Sequence, residues 1–236
     1  MTKSQIVDVL AVGAHPDDAD INVGGTLLAL KALGRKTAAV DLTRGELASR
    51  GSAEIRREEA AQAGSILGLE FRESLGLVDG DVAVDADSRL ALIQIIRRCR
   101  PRLVLTHSRF GHPDHAKAAQ LTEEAVHHSG LASVETGQQR HRPGKIAYWI
   151  SFDQPLTPHF VVDVTPFYQR KEDAIRAYRS QLGQGGGDEP ETYLSRPDFL
   201  EQLCSFHYHL GSQAGCRFGE GFLLSRIPRI EDPTQC

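Results

Sequence analysis

Short unbroken apolar runs alternate along the chain with longer stretches of helical period. Residues 6–13 (IVDVLAVG), 36–43 (KTAAVDLT) and 103–106 (LVLT) read as strands buried on both faces. Residues 145–151 and 160–164 predict two more strands. The first predicted helix covers 26–33 and is closed by Gly34. The second covers 52–67, with Ser52 as its cap, Ile55, Ala63, Ile66 and Leu67 as an apolar stripe, and Gly68 as its stop. A third is capped by Asp87, shares Leu92, Ile93, Ile96 and Cys99 on one face, and ends before Pro101. Further helices are predicted at 114–128, at 166–181 with proline in the first turn, and at 199–210. This alternation predicts an α/β fold: a single Rossmann-like open, mostly parallel sheet with helices on both faces. One domain over residues 1–236 is expected, with no internal repeat. Residues 136–144 and 183–197 read as loops, the second, with its three-glycine run, as a mobile lid.

Composition narrows the function classes. The 236 residues include 40% hydrophobic and 25% charged side chains, which excludes a disordered chain. A net charge of -4 argues against a nucleic-acid surface. No apolar run approaches the ~18 residues of a spanning helix, and the N-terminus lacks the layout of a signal peptide, so a cytoplasmic protein with no membrane partner is expected. Cys99, Cys204, Cys216 and Cys236 show no C-x-x-C spacing, which excludes zinc fingers and thioredoxin-like redox sites and leaves free thiols as the expectation.

The chemistry concentrates in two motifs. Ala14-His15-Pro16-Asp17-Asp18 follows the first predicted strand, and Gly111-His112-Pro113-Asp114-His115 follows the strand at 103–106. Ligands of open parallel sheets bind outside the carboxyl ends of strands, so both motifs belong on one edge although about a hundred positions separate them. Imidazole and carboxylate together suit a borderline divalent cation such as zinc, and three protein ligands with one open position is the catalytic arrangement. Asp17 is then a spare carboxylate suited to general-base work. Of His112 and His115, one can ligate while the other stabilises a developing oxyanion. The bland alternative is a pair of turns in which Asp17, Asp18 and Asp114 serve only as helix caps; two such motifs at equivalent places favour the metal. Other histidines carry less. His107 ends its strand and either supports the site from behind or is simply hydrogen-bonded there. His127 and His128 complement a helix end. His207 and His209 are expected at the surface or a pocket rim. By pattern alone Glu46 and Arg56 read as a solvated loop and a helix-first-turn charge. Dinucleotide and NTP sites find no glycine-rich signature.

The motifs AHPDD (14–18), DLTRGE (41–46), RREEA (56–60) and HPDH (112–115), closing with GEGF (219–222), resemble the LmbE/PIG-L-type zinc-dependent N-acetylglucosaminyl deacetylases over about residues 6–222. RRCRP (97–101) and the loosely matched segment 163–181 are most similar to the bacillithiol-pathway branch, which acts on N-acetylglucosaminyl-malate. The resemblance implies hydrolysis of an N-acetyl group, one Zn2+ per chain with other divalent metals as substitutes, and His15, Asp18 and His115 as ligands. It implies Asp17 as general base, His112 as oxyanion stabiliser and amine acid, Asp114 as the residue orienting a neighbouring histidine, and Glu46 and Arg56 as sugar contacts. It also implies a homo-oligomer, for which the family offers the hexamer. Some relatives place a tyrosine just before HPDH; here Ser108-Arg109-Phe110-Gly111 stands there, and Tyr193 is the substitute expected from elsewhere. Arg109, three residues before His112, is expected with Arg56 to hold an anionic aglycone. Inositol or thiol conjugates are the alternative substrates. A non-haem Fe(II) oxygenase and a non-catalytic zinc-stabilised sugar-binding module are rivals of other classes.

Overall fold

Strand β1 (Val9–Gly13) is buried along its whole length, and so is β2 (Thr37–Thr43). Successive side chains of a strand point to opposite faces, so each strand must feed two cores. Leu10 and Val12 of β1, with Ala38, Val40 and Leu42 of β2, pack under α3 (Ala86–Cys99) and α4 (Pro113–Ser129). Val9 and Ala11 face the other way, onto α1 (Asp18–Ala32), α2 (Ala53–Leu67) and α5 (Tyr168–Ile175). The remaining elements are β3 (Arg72–Leu77), β4 (Leu103–His107), β5 (Lys145–Trp149), β6 (Phe160–Asp163), α6 (Phe199–Gln213) and β7 (Gly219–Leu224). This computed structural model describes residues 5–183 and 190–229.

The seven strands lie in the order β3-β2-β1-β4-β5-β7-β6. The first five are parallel; β7 runs antiparallel to both β5 and β6. The expected open, mostly parallel sheet with helices on both faces is therefore present. The chain passes from β1 to β2 and β3 on one side, then returns to β4 on the other side of β1. That reversal opens a crevice beyond the carboxyl ends of β1 and β4.

Several elements differ from expectation for physical reasons. Helix α1 begins at Asp18, not at residue 26. Gly24 and Gly25 lower its helix propensity, but they let it pack closely: a Cβ on Gly25 would lie 2.7 Å from Val164 Cβ. The cap of α3 is Asp85, whose Oδ1 accepts from Ser88 N at 2.8 Å, while Asp87 sits in the first turn. The helix expected at 166–181 is a 3-10 turn (Thr165–Phe167) followed by α5, which ends at Ile175. Beyond it Tyr178, Ser180 and Gln181 turn inward to hydrogen-bond Pro16 O, Glu59 and Arg50 O. Strand β3 escaped the pattern because it is half-exposed and carries no apolar run. Strand β7 escaped it because GEGF reads as a turn, although all four residues are buried. Of the expected lid at 183–197, residues 184–189 lie outside the described residues. Thr192 and Ser195 bond each other across a turn in the rest.

Candidate metal centre

The turn after β1 carries His15, Asp17 and Asp18, and α1 starts on it at once. Gly13 makes the turn possible, since a Cβ there would stand 3.0 Å from Asp18 Cβ and 3.2 Å from His15 O. The loop after β4 leads through Gly111, at φ +92°, into α4, which carries His112 at its cap position and Asp114 and His115 in its first turn. The adjacency of β1 and β4 therefore brings the two motifs together.

One ligand atom from each of His15, Asp18 and His115 lies within 4.8 Å of the others. Asp18 Oδ1 stands 3.3 Å from His115 Nε2, and its Oδ2 accepts from His15 N at 2.7 Å. A second grouping, His15, His112 and Asp114, meets the same spacing. It is the poorer donor set, because the Asp114 oxygens already accept from Gly80 N at 2.8 Å and Val82 N at 3.3 Å. The first set asks for positive charge. Burial pulls the His15 pKa down, yet Asp18 and Asp79 overcome it and raise it to about 11. Burial likewise opposes ionisation of Asp18, but His115, His15 and a hydrogen bond with His107 hold its pKa well below the usual carboxylate range. A buried carboxylate between imidazoles fits a divalent cation of borderline softness.

Behind the cluster sits His107, fully buried. Trp149 Nε1, a donor only, reaches its Nδ1 at 3.2 Å. Its Nε2 stands 3.0 Å from Asp18 Oδ2 and 3.2 Å from the backbone N–H of Ala14. Burial and the neighbouring His115 lower the His107 pKa to about 4, so the ring is neutral. It orients Asp18, the support expected of a partner behind a ligand.

Around the cluster lies a cleft of about 520 Å³. Its polar side includes Asp17, Arg56, Asp79 and His112; Ile21, Phe152, Leu194 and Phe199 form an apolar side. Arg56 donates to Asp17 Oδ2 at 3.0 Å and to Gly45 O at 3.2 Å. His112 Nδ1 accepts from Asp114 N at 3.2 Å, which leaves Nε2–H as the donor of the neutral ring. Burial and the positive charges of His115 and His15 lower the His112 pKa. Asp114 lies 3.5 Å from His15 Nε2, so the histidine its carboxylate faces is His15.

The four expected substrate contacts divide. Arg56 and Tyr193 line the cleft. Tyr193 donates its hydroxyl to Gln202 at 3.2 Å, and its ring lies against Phe152, so that hydroxyl is already engaged. Glu46 bridges two loops, accepting from Asp79 N at 3.0 Å and Arg44 N at 3.2 Å, and is absent from the cleft wall. Arg109 is 56% exposed and pairs with Glu123 on α4, outside the cleft. Asp79, which the pattern missed, takes Glu46's place in the wall. It follows the unrecognised strand β3, and its only sequence signal is the Asp-Gly turn at 79–80; its Oδ1 stands 3.1 Å from His15 Nε2. His207 also departs from expectation: it is buried and bonds Lys171 Nζ at 3.2 Å.

Comparison with known proteins decides the family. The PIG-L family model, described as GlcNAc-PI de-N-acetylase, matches residues 10–126, which span both motifs. A 1D-myo-inositol 2-acetamido-2-deoxy-alpha-D-glucopyranoside deacetylase of Acidothermus cellulolyticus is 30% identical over 235 residues, covering 75% of this chain and 80% of that one. The chain belongs to the PIG-L family. It is an enzyme of the amide-hydrolysing type. A diacetylchitobiose deacetylase of Thermococcus kodakarensis is 26% identical over 92% of this PIG-L chain and 83% of its own length. The fold matches the conserved protein TT1542 of Thermus thermophilus with a TM-score of 0.86 and 36% identity, over 97% of this chain and 98% of that one. Among the described residues no helix is long and apolar enough to cross a membrane.

Proposed function

We propose that this PIG-L chain hydrolyses the N-acetyl group of an N-acetylglucosaminyl conjugate. The observation that carries the reading is the convergence of His15, Asp18 and His115 beside a separate carboxylate, Asp17, on the wall of one cleft. A cap or a purely structural metal has no use for that second carboxylate. Held by His15, Asp18 and His115, a divalent cation, zinc for preference, would supply Lewis acidity toward water and the acetamide carbonyl. Asp17 accepts the proton of the attacking water, with Arg56 fixing the direction of its carboxylate. His112 donates its Nε2 hydrogen to the oxyanion of the tetrahedral adduct. The C–N bond then breaks, acetate leaves, and the sugar amine takes up the proton. Asp114 holds the loop at residues 80–82 against the ligands. Asp79 lines the cleft in the place expected of Glu46, with its Oδ2 accepting from Leu47 N at 2.9 Å and its Oδ1 facing His15.

The choice of conjugate belongs to the same proposal. The sequence leads one to expect malate, with Arg109 as its receptor. Arg109 faces Glu123 instead, and Arg56, the one arginine or lysine among the described residues of the cleft wall, is engaged by Asp17. The relatives named for inositol and chitobiose conjugates support a neutral partner sugar. The test is acetate release from malyl, inositol, chitobiosyl and methyl conjugates of N-acetylglucosamine, with metal content measured on the same preparation. Release from one or more supports the reading. A metal-loaded protein that releases acetate from none overturns it.

A further inference from the structure

Beneath the His-Pro-Asp-Asp turn lies a buried polar knot that these steps do not use. Arg72, at the start of β3, forks onto Asp41 with Nε–Oδ2 at 2.8 Å and Nη2–Oδ1 at 2.9 Å. Its Nη1 reaches Asp20 Oδ2 at 2.8 Å, and its Nη2 also donates to the carbonyl of Pro16. Tyr178, 1% exposed, brings its hydroxyl to the same carbonyl and stands 2.9 Å from Asp20 Oδ2. Two separate regions, β3 and the segment after α5, thus converge on one peptide oxygen, and β2 holds Arg72 in place through Asp41.

We propose that Tyr178 is a positioning residue: with Arg72 it grips the Pro16 carbonyl and so aims the Asp17 carboxylate. The proposal rests on the reading of Asp17 as the base. The Pro16–Asp17 peptide is planar, so fixing its oxygen fixes the plane from which the Asp17 side chain departs. Arg56 holds the far end of that side chain. A base displaced by about 1 Å loses on the order of 10²-fold in rate. Stability alone does not account for the knot. It buries one guanidinium with two carboxylates, and Asp20 Oδ1 has no partner. Well-packed apolar residues often stabilise as much as such an ionic group or more.

The test uses the metal-loaded enzyme and the best conjugate from the acetate-release panel. Tyr178→Phe removes one hydroxyl and keeps the ring. Its kcat is expected to fall about 10-fold or more, with KM within about 2-fold and metal content unchanged. In an Asp17→Asn background the same change is expected to have almost no further effect, because there is no base left to aim. A merely structural role would not produce that coupling. Arg72→Lys keeps the cation but cannot span Asp41 and the Pro16 carbonyl; it is expected to lose kcat in the same way and serves if Tyr178→Phe does not fold. A folded, metal-loaded variant with parental kcat overturns the proposal, and so does an equal loss in both backgrounds. If the metal-loaded parent releases no acetate, the functional reading fails and the proposal with it.

Discussion

Glu220, in the buried GEGF strand, is expected to be among the most stability-sensitive residues of the chain. Its Oε1 accepts from Gly25 N at 2.9 Å and from Lys171 Nζ at 2.5 Å, and its Oε2 accepts from Thr26 N at 2.7 Å. Lys171 and Glu220 are 1% and 0% exposed at the side chain. Three donors therefore converge on one carboxylate that ties β7 to α1 and α5. Glu220→Gln conserves shape but turns an amide NH2 toward a donor and leaves Lys171 with His207 as its remaining neutral partner. Stranding one member of a buried pair typically costs about 3–5 kcal/mol. For a domain of this size each kcal/mol shifts Tm by roughly 2–4 °C, so a drop of about 6–20 °C is expected in thermal unfolding. Lys171→Met in the Glu220→Gln background should recover part of the loss, since it removes the stranded charge. A Glu220→Gln protein melting within about 2 °C of the parent, with the usual metal content, would refute this account of the network.

Three further outcomes are expected. Asp17→Asn should keep its metal and lose about 10²–10⁴-fold in turnover, the usual contribution of a general base, as read by acetate release with metal analysis. His15→Ala or His115→Ala should lose metal and activity together while circular dichroism stays native, because no core cluster depends on either ring. His207 sets a pH dependence: burial and the Lys171 ammonium hold its pKa well below 6.5. Below pH 6.5 the unfolded chain binds a proton that the native ring refuses, so stability falls with falling pH by up to about 1.4 kcal/mol per pH unit. His207→Gln should lessen the pH dependence of Tm on the acid side of 6.5 relative to the parent, and an unchanged acid slope would count against it.

The core of the sheet was legible because β1, β2 and β4 are buried on both faces and write themselves as unbroken apolar runs. Both metal motifs were legible for a related reason: the first directly follows such a run, the second comes a few residues after one, and the parallel-sheet rule then places them together. Strands at the margin obey no such rule. Arg72–Leu77 is RESLGL, half-wet, and its loss from the predicted pattern hid Asp79 as well. Once a strand is unrecognised, the turn after it has no predicted address.

Side-chain direction was the other limit. Arg109 stands three residues from His112, and sequence distance suggested a shared pocket. The loop from 108 to 111 instead turns the side chain along α4 to Glu123, while Ser108 Oγ bonds Gln154 at 2.7 Å and holds the loop from within. Glu46 fails for the opposite reason. It sits beside Asp79 of the cleft wall, but two backbone N–H groups, Arg44 of its own loop and Asp79 of the neighbouring one, occupy it first. A loop end carries unpaired N–H groups, and a carboxylate nearby satisfies them before any ligand arrives. In each case the deciding partner is distant in sequence: residue 109 meets 123, residue 46 meets 79, and residue 178 meets 16. Motif spacing reports which groups share a turn. Which groups reach the substrate depends on long-range hydrogen bonds, and those bonds follow from the strand order, not from the motif.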